Sequence, residues 1–202
     1  MELLPPSQQF DETSRLNKWI YQVIEPFLQG RILEVRSKTN SISAIFAEKE
    51  RPIHLSISER TTHEELRTKY QGLATIRALH SIKFERSNFE ERYKTLEGHF
   101  DTVIILTAAE NGLYNKTIVD HSKYLLRTAG NLIVLAPAYT VVLNDETMNV
   151  EEWRRYNRRA TRQLLNSDAS DVEVIKTKYF TIMHTNTYNS SGLSVLAVAR
   201  KK

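Results

Sequence analysis

Apolar residues recur at three- and four-residue steps from Leu16 through Trp19, Ile20, Val23 and Ile24 to Phe27, which gathers them on one stripe of an amphipathic helix. Thr13 offers a capping hydroxyl ahead of the stripe. Pro26 and Gly30 close it, because proline disfavours helical geometry at the residue before it and glycine commonly ends a last turn. The period then changes. Ile32, Leu33, Glu34 and Val35 form a short run of the kind expected of a buried strand, and a tight connection leads to a helical segment over Ser41 to Ala47. Pro52 to Ser58 (PIHLSIS) alternates apolar and polar residues as a second strand, and Thr62 with Glu65 forms a capping box for a helix through Leu66 and Tyr70.

The rest of the chain repeats this alternation of strand and helix. Ile76 to Phe84 reads as a third strand, followed by a helix capped by Ser87 and Glu90 with Phe89, Tyr93 and Leu96 on one side. Phe100 to Leu106 (FDTVIIL) is apolar enough to be buried on both faces, and a helix over Lys116 to Arg127, closed by Gly130, leads to a fifth strand over Asn131 to Tyr139. Val172 to Phe180 and Leu193 to Ala199 are two further strands, joined across the turn residues Asn189 to Gly192. Strands alternating with helices imply a mostly parallel sheet covered on both faces.

Composition narrows the chemistry. A chain of 202 residues, 41% hydrophobic and 26% charged, fits a single globular domain, here a helical lead over 1–29 and a core over 30–202. It contains no cysteine, which removes disulfides, thiolate nucleophiles and zinc–thiolate or iron–sulfur sites. The start of the chain lacks the pattern of a signal peptide and no apolar run is long enough to span a bilayer, so a cytoplasmic location is expected. The net charge of +4 permits acidic partners without requiring them.

The strand and helix around Gly30 to Glu48 (GRILEVRSKTNSISAIFAE) resemble the first motif of class I S-adenosylmethionine-dependent methyltransferases, in which a strand ending in an acid enters a glycine-rich loop. The resemblance extends over nearly the whole chain. Phe100 to Gly112 and the Pro-Ala-Tyr ending at Tyr139 are similar to later segments of that family, and Arg154-Arg155-Tyr156 is similar to the end of a Gly-His-Tyr-Arg-Arg-Tyr motif. It implies a Rossmann-like three-layer αβα sandwich with a seven-stranded, mostly parallel sheet. It further implies cofactor contacts at Glu34, Arg36, Lys38, Asn40, Ser56, Glu85 and Thr107, and a substrate side formed by Tyr139, Arg154, Arg155 and Tyr156.

The chemistry departs from the pattern where the fold keeps it. Arg36, Lys38 and Asn40 occupy the three glycine positions, although glycine is used there because it tolerates positive φ and has no Cβ to meet a ligand lying on the backbone. Ser56 stands in place of the acid that holds the ribose hydroxyls, and Asn111 and Glu152 stand where the family has histidines. Arg36 and Lys38 either close the cleft, pairing with Glu34, Glu59 or Glu85, or turn it toward an anion.

Two functions follow. The chain is a degenerate homologue that lacks the usual cofactor binding and acts as a binding or regulatory protein, as a homo- or hetero-oligomer with an active relative. Alternatively it is an active methyltransferase using S-adenosylmethionine through a remodelled loop, on a small-molecule acceptor. The catalytic residues are not assigned. Arg154, Arg155, Arg158, Arg159 and Arg162 form a basic stripe, read chiefly as a solvated face, since no nucleic-acid motif accompanies it. The histidines (His54, His63, His80, His99, His121 and His184) show no metal-ligand spacing, and no metal is expected.

Overall fold

The computed structural model describes residues 6–35, 42–57, 74–106, 116–137, 165, 171–182 and 192–202. Helix α1 (Pro6–Ile24) runs into a 3-10 turn at Glu25–Phe27 and then strand β1 (Ile32–Val35). Helix α2 (Ser43–Glu48), β2 (Ile53–Ile57), β3 (Ile76–Ser81), a single helical turn α3 (Phe89–Arg92) and β4 (Phe100–Leu106) follow. The chain continues with α4 (Lys116–Leu125), β5 (Leu126–Pro137), β6 (Val172–Ile182) and β7 (Gly192–Lys201).

The seven strands form one sheet in the order β3-β2-β1-β4-β5-β7-β6. All pairings among β1 to β5 are parallel, while β7 runs antiparallel to both β5 and β6. This is the mostly parallel αβα sandwich that the strand and helix alternation implies. Each face carries its own core. Ile32, Leu55, Ile104, Ile133 and Val198 pack with Ile20, Ile24, Ile42 and Phe46 of the α1 and α2 side. Leu33, Val35, Val103, Leu132 and Ala197 pack with Phe89, Val119 and Leu125 of the α3 and α4 side.

Several boundaries differ from the sequence reading. Helix α1 begins at Pro6, so Thr13 lies inside it; proline is compatible with a first helical turn, where its missing N–H has no intrahelical partner to lose. The capping box of Ser87 and Glu90 does not form, since Asn88 precedes α3 and no side chain caps it. That helix shrinks to one turn and a 3-10 turn (Lys94–Leu96), because Tyr93 is drawn back toward β3: its hydroxyl accepts from the Lys83 N–H at 2.9 Å and donates to the Ser81 carbonyl at 3.2 Å. Gly130 does not close α4. The Lys201 ammonium caps that end, donating to the carbonyls of Lys123 and Leu126 at 2.8 and 2.7 Å, and β5 starts directly at Leu126. Its ladder with β4 is interrupted between Leu126 and Asn131, where Ala129 takes a positive φ of 62°.

The predicted helix over Thr62 to Tyr70, the turn residues Asn189 to Ser191 and the stripe from Arg154 to Arg162 lie outside the described residues, while Gly192 opens β7.

Candidate functional site at the carboxyl edge of the sheet

In an open parallel sheet, ligands bind beyond the carboxyl ends of the strands where the order reverses, and here that point is between β1 and β4. Glu34 sits one residue from the end of β1 and is fully buried. Its Oε1 accepts the backbone N–H of Ile42 at 3.0 Å, so the carboxylate ties the strand end to the residue just before α2. A buried carboxylate needs such donors to offset its lost hydration.

Ser56 occupies the corresponding place on β2 and is 2% exposed. The register sets its direction. Glu34 is paired with Leu55 and Ile104, both in the core beneath α1 and α2, whereas Ser56 is paired with Val35, which belongs to the core beneath α3 and α4. Because successive strand residues point to opposite faces, Glu34 and Ser56 project away from one another. Glu85 is exposed on the turn that follows β3, beside buried Phe84. The structure thus places Glu34, Ser56 and Glu85 at the carboxyl ends of three neighbouring strands without aiming the first two at a common point. Arg36, Lys38, Asn40, Thr107, Tyr139, Arg154, Arg155 and Tyr156 lie outside the described residues.

The turn after β3 is braced by aromatic rings. The Phe89 ring stacks on His121 with centroids 3.9 Å apart, and His121 Nδ1 donates to the Phe84 carbonyl at 2.5 Å. That contact requires a proton on Nδ1.

A second cluster was not legible in the sequence. His54 of β2 and His80 of β3 lie diagonally across their ladder on the α3 and α4 face, and His54 Nδ1 is 2.9 Å from His80 Nε2. Phe100 meets both rings edge-on, at 5.5 and 5.6 Å between centroids, and His99 adjoins it. Arg31 Nη1 lies 3.1 and 2.9 Å from the two ring nitrogens of His99 and donates to its backbone carbonyl. Burial lowers the His54 pKa to about 4, helped by the positive charges of His80, Arg31, His99 and Arg77. Burial and His99 lower His80, and burial and Arg31 lower His99 against an opposing pull from Asp101. Spacing along the chain carries no trace of this cluster, since its members meet only through strand register. No group of three metal-ligating side chains is present among the described residues.

No protein-family model matches the sequence, and no curated protein does. The fold is nevertheless similar to solved structures. A SAM-dependent methyltransferase from Methanosarcina mazei is 12% identical with a TM-score of 0.64, covering 90% of this chain and 97% of that one. The 1,6-didemethyltoxoflavin-N1-methyltransferase of Burkholderia thailandensis, solved with bound 1,6-didemethyltoxoflavin and S-adenosylhomocysteine, is 13% identical with a TM-score of 0.58, covering 94% and 78%. The [4+2]-cyclase SpnF is 11% identical with a TM-score of 0.63, covering 93% and 80%. At these identities the likeness concerns the fold alone, which is that of the class I methyltransferases.

Proposed function

We propose that this chain is a methyltransferase-fold protein that does not hold S-adenosylmethionine in the usual crevice and that acts as a binding or regulatory protein, paired with a second copy or with an active relative. The observation that carries this reading is the divergence of Glu34 and Ser56. The one carboxylate of the pair is buried and engaged with the Ile42 N–H, and the residue at the ribose position is a serine turned to the other face. A serine makes one or two hydrogen bonds but cannot clamp two hydroxyls as a carboxylate does. The loss of three loop glycines at Arg36, Lys38 and Asn40 supports the same reading, because such loops use glycine for its lack of a Cβ that would meet a ligand lying on the backbone. Fold does not by itself dictate activity. The likeness to SpnF, a cyclase, fits that rule.

The alternative is an active methyltransferase acting on a small-molecule acceptor, with S-adenosylmethionine as its cofactor. Glu34, Glu85 and backbone groups near Thr107 would hold the cofactor, and Tyr139, Arg154, Arg155 and Tyr156 would face the acceptor. The alignment of Glu34, Ser56 and Glu85 along one sheet edge favours it, and methyl transfer depends chiefly on proximity and orientation.

Calorimetric titration with S-adenosylmethionine and S-adenosylhomocysteine separates the two. The native chain is expected to give no binding heat at millimolar ligand, and the variant with Arg36→Gly, Lys38→Gly and Asn40→Gly together is expected to gain it. Micromolar binding by the native chain would overturn the first reading in favour of the second.

A further inference from the structure

The His54, His80 and His99 cluster is rich in donors and poor in acceptors. Its charged and titratable neighbours come from every strand segment around it: Arg77 from β3, Arg31 from the residue before β1, His99 from the residue before β4, and Asp101 from β4. A guanidinium has donors only, and Arg31 already spends one nitrogen on the ring and carbonyl of His99. The hydrogen bond between His54 and His80 needs an N–H on one ring and a lone pair on the other. When both rings are charged, two N–H groups face each other and the bond is lost, unless an acceptor arrives from outside.

The adjoining carboxylate is already engaged on both oxygens. Asp101 Oδ2 accepts the backbone N–H of Arg31 at 2.6 Å, and its Oδ1 pairs with Arg127 at 2.6 Å. All of the charged groups acting on His54 are cationic or become so on protonation. The three rings are only half-buried and Arg31 and Arg77 are exposed, so a solute reaches them.

We propose that His54, His80, His99 and Arg31 form a binding site for a tetrahedral dianion, either free or as a phosphate monoester, and that its affinity rises as the imidazoles take up protons. The site uses none of Glu34, Ser56 or Glu85, and it stands whether or not the carboxyl edge holds S-adenosylmethionine. An anion that binds the charged rings better than the neutral ones must raise their proton affinity in equal measure. Each unit of that rise in a ring pKa corresponds to about tenfold in anion affinity.

Sulfate is the first probe, because it keeps both charges across the relevant pH range. In a proton NMR titration at constant ionic strength, with chloride as the control, the ring signals of His54, His80 and His99 are expected to shift saturably. The dissociation constant at pH 5.5 is expected to be at least about tenfold lower than at pH 7.5. His54→Gln and Arg31→Gln should each weaken sulfate binding severalfold, while Arg200→Gln, which removes the same charge from β7, leaves it unchanged. Arg31 is exposed and precedes the strand, so its variant carries the test if His54→Gln does not fold. Phenyl phosphate assigns the source: tighter binding than sulfate identifies a phosphate monoester, and equal binding a free ion. Identical shifts with chloride, a dissociation constant independent of pH, or full binding by Arg31→Gln would overturn the site.

Discussion

The two faces of β2 differ sharply. Toward α1 and α2 the strand presents Ile53, Leu55 and Ile57, none more than 3% exposed; toward α3 and α4 it presents His54 and Ser56. In the centre of the sheet, by contrast, β4 sends Ile104 and Leu106 one way and Val103 and Ile105 the other, all buried. The short α3 explains the asymmetry. A full crossover helix between β3 and β4 would cover the outer strands with apolar side chains, but here the connection is pulled toward the strand end by Tyr93 and Phe89. At β2 itself apolar burial holds the strand on one side, and the half-buried His54 stays within reach of a ligand on the other, although both faces of the sheet carry a core.

This contrast is broken most severely through the apolar side. Phe46 is fully buried against Tyr21, and Phe46→Ala is expected to cost about 3–5 kcal/mol in denaturant unfolding. His54→Ala, by the same measurement, should cost no more than about 1.5 kcal/mol, because a half-buried polar ring gives up little net stabilisation. Equal losses would show that the two faces contribute alike. Next in size is Gly30→Ala, at roughly 2–3 kcal/mol. Gly30 has φ of 49°, and a Cβ there would run into the Asp101 carboxylate that receives the Arg31 N–H.

The polar face responds to pH with a defined sign. The folded pKa of His54 is about 4, below its unfolded value of 6.5, so between these values the unfolded chain binds more protons than the folded one. Stability is therefore full above pH 6.5 and is lost as the pH falls toward 4. Allowing for solvent screening of a half-exposed ring, the loss amounts to about 1–2 kcal/mol. Thermal unfolding across this range, compared with His54→Gln, checks it: the variant should have the shallower slope, and an equal slope would exclude His54 as the source. The smallest effect is expected for Tyr93→Phe, at about 1 kcal/mol for the lost hydroxyl bridge between Lys83 and Ser81.

Much of this fold is legible in the sequence because burial leaves a pattern. The apolar runs at Ile32 to Val35 and Phe100 to Leu106 became the strands β1 and β4, and the stripe from Leu16 to Phe27 packs beneath the sheet. Local propensity was less reliable where a tertiary contact decided the outcome. Ser87 and Glu90 have the right spacing for a capping box, yet the Tyr93 hydroxyl and the Phe89 stack set the local path. Gly130 has the right chemistry to end a helix, but Lys201, brought from the far end of the chain, does so instead. The candidate site divides in the same way. Glu34, Ser56 and Glu85 come from the resemblance to the methyltransferase pattern, while the opposed directions of Glu34 and Ser56 need the register, and the histidine cluster needs both the register and the ladder between β2 and β3.

The most direct test of the carboxyl edge is an amide NMR titration of the native chain with S-adenosylhomocysteine, read at Val35, Ile42, Ile57 and Ser81. The expected result is no saturable shift of these amides at millimolar ligand. Coincident, saturable shifts at Val35 and Ile42 would place the ligand at the end of β1 and contradict it.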